Sequence, residues 1–135
     1  MTFNKKSFYL KLNYRFNNII LNYETMMTLD ELKSLIVNQL QPLDPEKIIL
    51  FGSYAHGNPT RDSDIDIYIV TKDDYIPHNF DEKMKLRLKA AYMLDSLRDK
   101  YPVDIIIHTR PMMKKFLDQN SSLCKEIFNK GITIL

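Results

Sequence analysis

The chain of 135 residues has a single cysteine, Cys124, so no intrachain disulfide can form. With no cysteine pair to suggest an oxidising compartment, the cytoplasm is the expected location. No run approaches the roughly 20 apolar residues of a membrane span. A signal peptide is not expected either, because Lys11, Asn13 and Arg15 interrupt what would be its apolar region. Charge is nearly balanced, with 19 Lys and Arg against 17 Asp and Glu and a formal net charge of +2. That balance implies no large nucleic-acid footprint. No basic groove or primer-binding region points to RNA or DNA synthesis. Nor is there an internal repeat or a low-complexity tract.

What is present suits one ordinary domain, with 44% apolar and 27% charged residues. A chain of this length buries about two-thirds of the surface its unfolded form exposes, enough for one core without disulfides or structural metals. Cys124, inside Leu123-Cys124-x-x-Ile127-Phe128, reads as a small buried hydrophobe.

Residues 1–25 stand apart from the remainder, 26–135. Phe8, Leu10, Leu12, Tyr14 and Phe16 alternate with polar neighbours at the period of a strand. Asn17-Asn18 is a possible turn into a second strand over Ile19–Tyr23. Two readings stay open: a hairpin that packs on the domain or a partner, or an unstructured extension before a start at Met26 or Met27.

From Thr28 the signals are strong. Thr28 and Glu31 form a capping box ahead of Leu29, Leu32, Leu35, Ile36 and Leu40 at helical spacing, and Pro42 and Pro45 end the element. Lys47–Phe51 is a short apolar strand leading into Gly52-Ser53. Asp64–Val70 alternates, with Asp64, Asp66 and Tyr68 on one face and Ile65, Ile67 and Ile69 on the other. A helix is expected over about 81–99, with Leu86, Ala90, Met93, Leu94 and Leu97 as its core stripe. Met84, Leu88 and Tyr92 make a second stripe; such stripes are usually core, although Tyr92 also suits an interface. Val103–His108 is a third strand. Thr109 with Pro111, and Ser121, are placed to cap two short helices, and Gly131 suits a left-handed helix end. Ile132–Leu135 is a candidate edge strand.

The segment between the two central strands is too short for a parallel crossover, so they should pair antiparallel. The long helix joins the Asp64 strand to the Val103 strand as a crossover unit. The expected fold is α/β (α+β): a mixed sheet flanked by helices.

The chemistry concentrates in Phe51-Gly52-Ser53-Tyr54-Ala55-His56-Gly57 and Arg61-Asp62-Ser63-Asp64-Ile65-Asp66-Ile67. Two residues apart on a strand, Asp64 and Asp66 project their carboxylates from one face, about 6 to 7 Å apart at the backbone. Such acids repel and resist joint ionisation without a cation. Mg²⁺ takes oxygen ligands and is commonly held by one or two carboxylates plus substrate phosphates. A second metal about 3.5 to 4 Å away completes an in-line displacement site. Glycine at position 52 lets the backbone approach a phosphate, and Ser53 and the following N–H groups can donate to it. An antiparallel return brings the acids beside this turn. Asp104, an acid inside an apolar strand, costs several kcal/mol if unpaired and so is expected to reach a cleft or cation. Each feature alone has a plain alternative: many strands begin with solvated acids, and Asp104 alone could mark a strand edge. It is their combination and order that is informative.

Gly52-Ser53, ten intervening residues and Asp64-x-Asp66 resemble the Gly-Ser-x10-Asp-x-Asp signature of the DNA polymerase beta-like nucleotidyltransferase superfamily. In size the chain resembles its minimal nucleotidyltransferases, the antitoxins paired with HEPN toxins. The resemblance covers about Thr28–Leu135, and the final Ile127-Phe128-Asn129-Lys130-Gly131 is similar to the family's last helix and glycine. It implies that Asp64 and Asp66 hold Mg²⁺ and that Asp104 serves as base or assists a second metal. It also implies that Gly52 and Ser53 bind the triphosphate of ATP. The implied reaction moves AMP to a hydroxyl, in the antitoxin branch a tyrosine of the HEPN toxin, with which the chain would form a hetero-oligomer. The family often has arginine where this chain has His56. Arg61 is a candidate for the missing charge, and His56 is either a weaker phosphate group or an exposed turn residue. No role is assigned to His78 or His108.

Two other functions fit the same residues. One is a small-molecule transferase of the aminoglycoside type, which normally carries a further helical domain not seen here. The other is an antitoxin that works by occluding its partner without catalysis. HEPN's own Arg-x4-6-His pattern is absent before His56, His78 and His108.

Overall fold

A computed structural model describes residues 7–16, 19–60 and 62–135, with side chains from Thr28 onward. Two strands, β1 (Ser7–Phe16) and β2 (Ile19–Thr28), pair antiparallel from Ser7↔Thr28 to Phe16↔Ile19 as a separate two-stranded sheet. The turn expected at Asn17-Asn18 lies outside the described residues. β2 runs without a break to Thr28, where α1 (Leu29–Leu40) begins. Thr28 Oγ1 accepts from the Glu31 amide at 3.1 Å and the Thr28 amide donates to Glu31 Oε2 at 2.8 Å, so the expected capping box forms. A 3₁₀ turn over Gln41–Leu43 and a left-handed Asp44 then redirect the chain.

The main sheet has the order β5-β4-β3-β6. β3 (Lys47–Phe51) and β4 (Ile65–Val70) pair antiparallel, as expected, through a connection holding the one-turn helix α2 (Ser53–His56). α3 (Phe80–Met93) and α4 (Asp95–Arg98) carry the crossover to β5 (Val103–His108), which lies parallel to β4. The helix expected as one piece over 81–99 is therefore two, interrupted at Leu94. Leu86, Ala90, Leu94 and Leu97 are buried as expected, and Ala91 joins them. The second stripe is not core: Leu88 and Tyr92 are 41% and 66% exposed.

α5 (Arg110–Gln119) and α6 (Ser122–Lys130) follow, and β6 (Ile132–Thr133) closes the far edge against β3. Ser121 caps α6 through the Cys124 amide at 3.1 Å. Thr109 occupies the N-cap of α5, but its hydroxyl donates to the Tyr75 carbonyl at 2.6 Å and so ties the β4–α3 connector to β5. Gly131 is extended (φ −71°, ψ 165°), not left-handed. Glycine is needed there for space, since a Cβ would collide with the Ile127 carbonyl and reach 2.5 Å from Ile49 Cγ2.

The alternation of β4 now has its reason. Ile65, Ile67 and Ile69 enter a core with α1 and α3 residues such as Leu32, Ile36, Leu86 and Ala90. Tyr68 and Val70 enter a second core with Ile49, Phe51 and Ile127, packed by Phe116 and Phe128 of α5 and α6. The sheet is thus covered on both faces, while Asp66, on the same side as Tyr68, is only partly covered at the end where β4 begins.

Candidate active site

Gly52 follows the last residue of β3 and has φ 72° and ψ −155°, a conformation open to glycine alone. It starts α2, whose first residue is Ser53, so a short helical turn follows the glycine. The same glycine is required by its neighbour. A Cβ on Gly52 would collide with Asp66 Oδ2 and lie 3.1 Å from Asp66 Cγ. The turn and the carboxylate are therefore in direct apposition, because Phe51 is the register partner of Asp66.

Asp104 is the register partner of Asp66 on the other side, across the parallel β4–β5 pair. Gly52, Asp66 and Asp104 thus lie in sequence across one end of the sheet, with Asp64 just before β4. Asp64 and Asp104 are exposed and Asp66 half-buried. Burial, then the charges of Asp104 and Asp64, push the Asp66 carboxyl up to about 6. The Asp66 carboxyl therefore senses both of the other acids. Among the described residues no three His, Cys, Asp or Glu side chains are grouped closely enough to hold an ion by themselves. The donors are all hard oxygens, and the mutual repulsion is what a divalent cation relieves. This set suits Mg²⁺, which needs few protein ligands when phosphates supply the others.

A cavity of about 370 Å³ adjoins the acids, lined among others by Asp66, Asp104, Arg87, Phe51, Ile106 and Leu123. The larger cavity, about 610 Å³, is lined by Leu43, Asp73, His78, Glu82, Lys85 and Lys89 and includes none of the expected site residues. The smaller one is lined by the expected site residues Asp66 and Asp104.

Sequence reasoning missed three neighbours of the site. Tyr54 of α2 is buried, and burial together with Asp64 raises its phenol. His56 pairs with Glu126 of α6 at 2.9 Å, which also lies 3.6 Å from Lys130, so α6 anchors the turn. This pairing, and that of Lys130, hold the Glu126 carboxyl below the usual range. Nothing local in the sequence connects residues 70 positions apart. Arg87, which lines the cavity beside Asp66 and Asp104, is one of several charged residues of α3 with no local signal to set it apart. His108, to which no role was given, binds the Tyr68 hydroxyl through Nδ1 at 2.9 Å. Arg61 lies outside the described residues.

Glycine turn, short helix and aligned carboxylates thus lie together at one end of a mixed sheet. Residues 30–135 match the family described as "Polymerase beta, Nucleotidyltransferase". The chain belongs to this family and is a nucleotidyltransferase.

The chain is similar to two curated proteins of Methanocaldococcus jannaschii, each named "Putative protein adenylyltransferase". One is 46% identical over 52 residues, 38% of this chain, so that the match spans about half (51%) of that relative's length. The other is 30% identical over 91 residues, 66% of this chain and 78% of that protein. Among solved structures, the chain is similar to one of a toxin–antitoxin with AMP-PNP, at 25% identity and a TM-score of 0.48, over 76% of this chain and 72% of that one. Among the described residues no helix is long and apolar enough to cross a membrane.

Proposed function

We propose that the chain is a protein adenylyltransferase that moves AMP from ATP to a hydroxyl, on a tyrosine, of a partner toxin of the HEPN type, and so acts as its antitoxin. The observation that carries the reading is the apposition of Gly52 to the Asp66 carboxylate, with Asp104 in register beside it. This apposition supports a reading in which the turn binds phosphate and the acids face the same triphosphate. The names of the two archaeal relatives support a protein as acceptor.

Asp64 and Asp66 would hold Mg²⁺, with Asp104 contributing at the acceptor side. The ion, when bound, offsets the charge that grows on the α-phosphate oxygens. The residues of the chain orient and exchange protons. Gly52 admits the phosphate chain close to the backbone, and Ser53, at the start of α2, donates to it. The acceptor oxygen attacks the α-phosphorus in line. As its bond forms, the bond from the α-phosphorus to the bridging oxygen breaks, and pyrophosphate leaves on the Gly52-Ser53 side. Asp104 lies on the opposite side and accepts the proton of the acceptor hydroxyl.

The test is incubation with α-labelled ATP, Mg²⁺ and lysate of the source cells, with and without chelator. Metal-dependent label on a protein band is the expected result. Label on small molecules would replace this reading with a resistance-type transferase. Absence of label, with a toxin co-purifying, would replace it with occlusion.

A further inference from the structure

β5 is an edge strand, and among the described residues no strand pairs with its outer side. Along it Asp104 is exposed and Ile106 and His108 are half-buried, all three at alternate positions. α3 runs beside this edge. Arg87 reaches the cavity that holds Asp66, Asp104 and Ile106. Four residues earlier, one helical turn away, Lys83 acts on His108: burial and then the Lys83 charge lower that imidazole. Lys83 and Arg87 therefore form a row parallel to β5, Arg87 at its Asp104 end and Lys83 at its His108 end. Both are exposed, and among the described residues neither makes an ion pair, in contrast to Arg98, Arg110 and Lys130.

The triphosphate turn lies on the β3 side of Asp66, so the space on the β5 side belongs to the acceptor. The cavity there runs from Phe51 of β3 to Asp104 and Ile106 of β5, with Leu123 as a further apolar wall, and Arg87 is the cation among its lining residues. Resting on the protein-acceptor reading above, we propose that this groove takes the acceptor as an extended acidic segment lying along β5, with its hydroxyl at Asp104. Arg87, seconded by Lys83, is the specificity-determining residue that pairs with the segment's carboxylates. The spacing fits. Alternate residues of an extended segment are about 6.7 Å apart, and the two cations are one helical turn, about 5.4 Å, apart along α3. An acidic residue two or four positions from the acceptor thus meets the row while staying clear of Asp66 and Asp104. Main-chain pairing to an open edge supplies affinity without sequence preference, and the row supplies the preference.

The test uses the full chain, ATP and Mg²⁺ with synthetic peptides of one central tyrosine, carrying either Glu or Lys two and four positions away. Wild type should favour the Glu peptide by roughly tenfold in kcat/KM, the range of two exposed charge pairs. A variant with Lys83→Glu and Arg87→Glu, both at exposed positions, should invert the order of the two peptides. A variant that keeps the wild-type order, or a wild type that modifies both peptides equally, overturns the assignment of Arg87 and leaves the protein-acceptor reading standing. Wild type that labels no peptide removes that reading and this inference together.

Discussion

Replacing Gly52 by alanine tests the tightest contact of the site. Two costs combine. A non-glycine residue at φ 72° and ψ −155° carries about 1 to 3 kcal/mol of backbone strain. The new Cβ also strikes Asp66 Oδ2, and overpacking of that kind costs about 1 to 3 kcal/mol. Gly52→Ala should therefore lose about 2 to 6 kcal/mol in urea unfolding. A double-mutant cycle separates the two costs. In an Asp66→Ala background the carboxylate is gone and only the backbone part remains, so the penalty of Gly52→Ala should shrink by about 1 to 3 kcal/mol. Equal penalties in the two backgrounds would show that turn and carboxylate do not touch, and would refute the geometry on which the site is built.

Asp66 also makes the metal-free protein sensitive to pH. Its carboxyl ionises at about 6 in the fold against 3.8 as the ordinary value. Between these limits the native state keeps a proton that the unfolded state has released, so stability falls as pH rises from about 4 to 6 and is level above. The shift corresponds to about 3 kcal/mol, reduced to about 1 kcal/mol by solvent screening of a half-exposed group. Asp66→Asn should abolish the slope and gain about that amount at pH 7 in chelator, measured by urea unfolding; an unchanged slope would contradict the assignment. Tyr68→Phe leaves His108 Nδ1 without its 2.9 Å partner and should cost about 1 to 2 kcal/mol, with transfer rates little altered. Thr28→Ala removes the reciprocal cap of α1 and should cost about 1 kcal/mol by thermal unfolding; no change in melting temperature would mean the cap is not formed.

The parts of this fold that could be read from sequence are those whose cause is local. The Thr28–Glu31 cap, the apolar period of α1 and the alternation of β4 each reside within a few residues. Asp104 was visible because an acid in Val103–His108 contradicts its neighbours. The turn length between β3 and β4 alone settled their antiparallel pairing. What was not legible depends on residues far apart in the chain. Gly131 has the composition of a left-handed helix end, yet its extended backbone is set by crowding against Ile49. Leu88 and Tyr92 follow a helical period but face outward, because α3 spends its other side on the sheet. The break at Leu94 has no proline or glycine to announce it. His56 gave no sign of Glu126, and Arg87 differed in no way from the lysines around it until β5 was placed beside it.

The central claim, that Gly52, Ser53, Asp64, Asp66 and Asp104 form one site for nucleotidyl transfer, is tested most directly by the position of the label in ATP. Wild type, and an Asp64→Asn/Asp66→Asn variant shown by circular dichroism to be folded, receive α-labelled or γ-labelled ATP with Mg²⁺ and acceptor. The expected result is incorporation of the α-label only, by wild type only. Incorporation of the γ-label, or equal transfer by the folded variant, would contradict it.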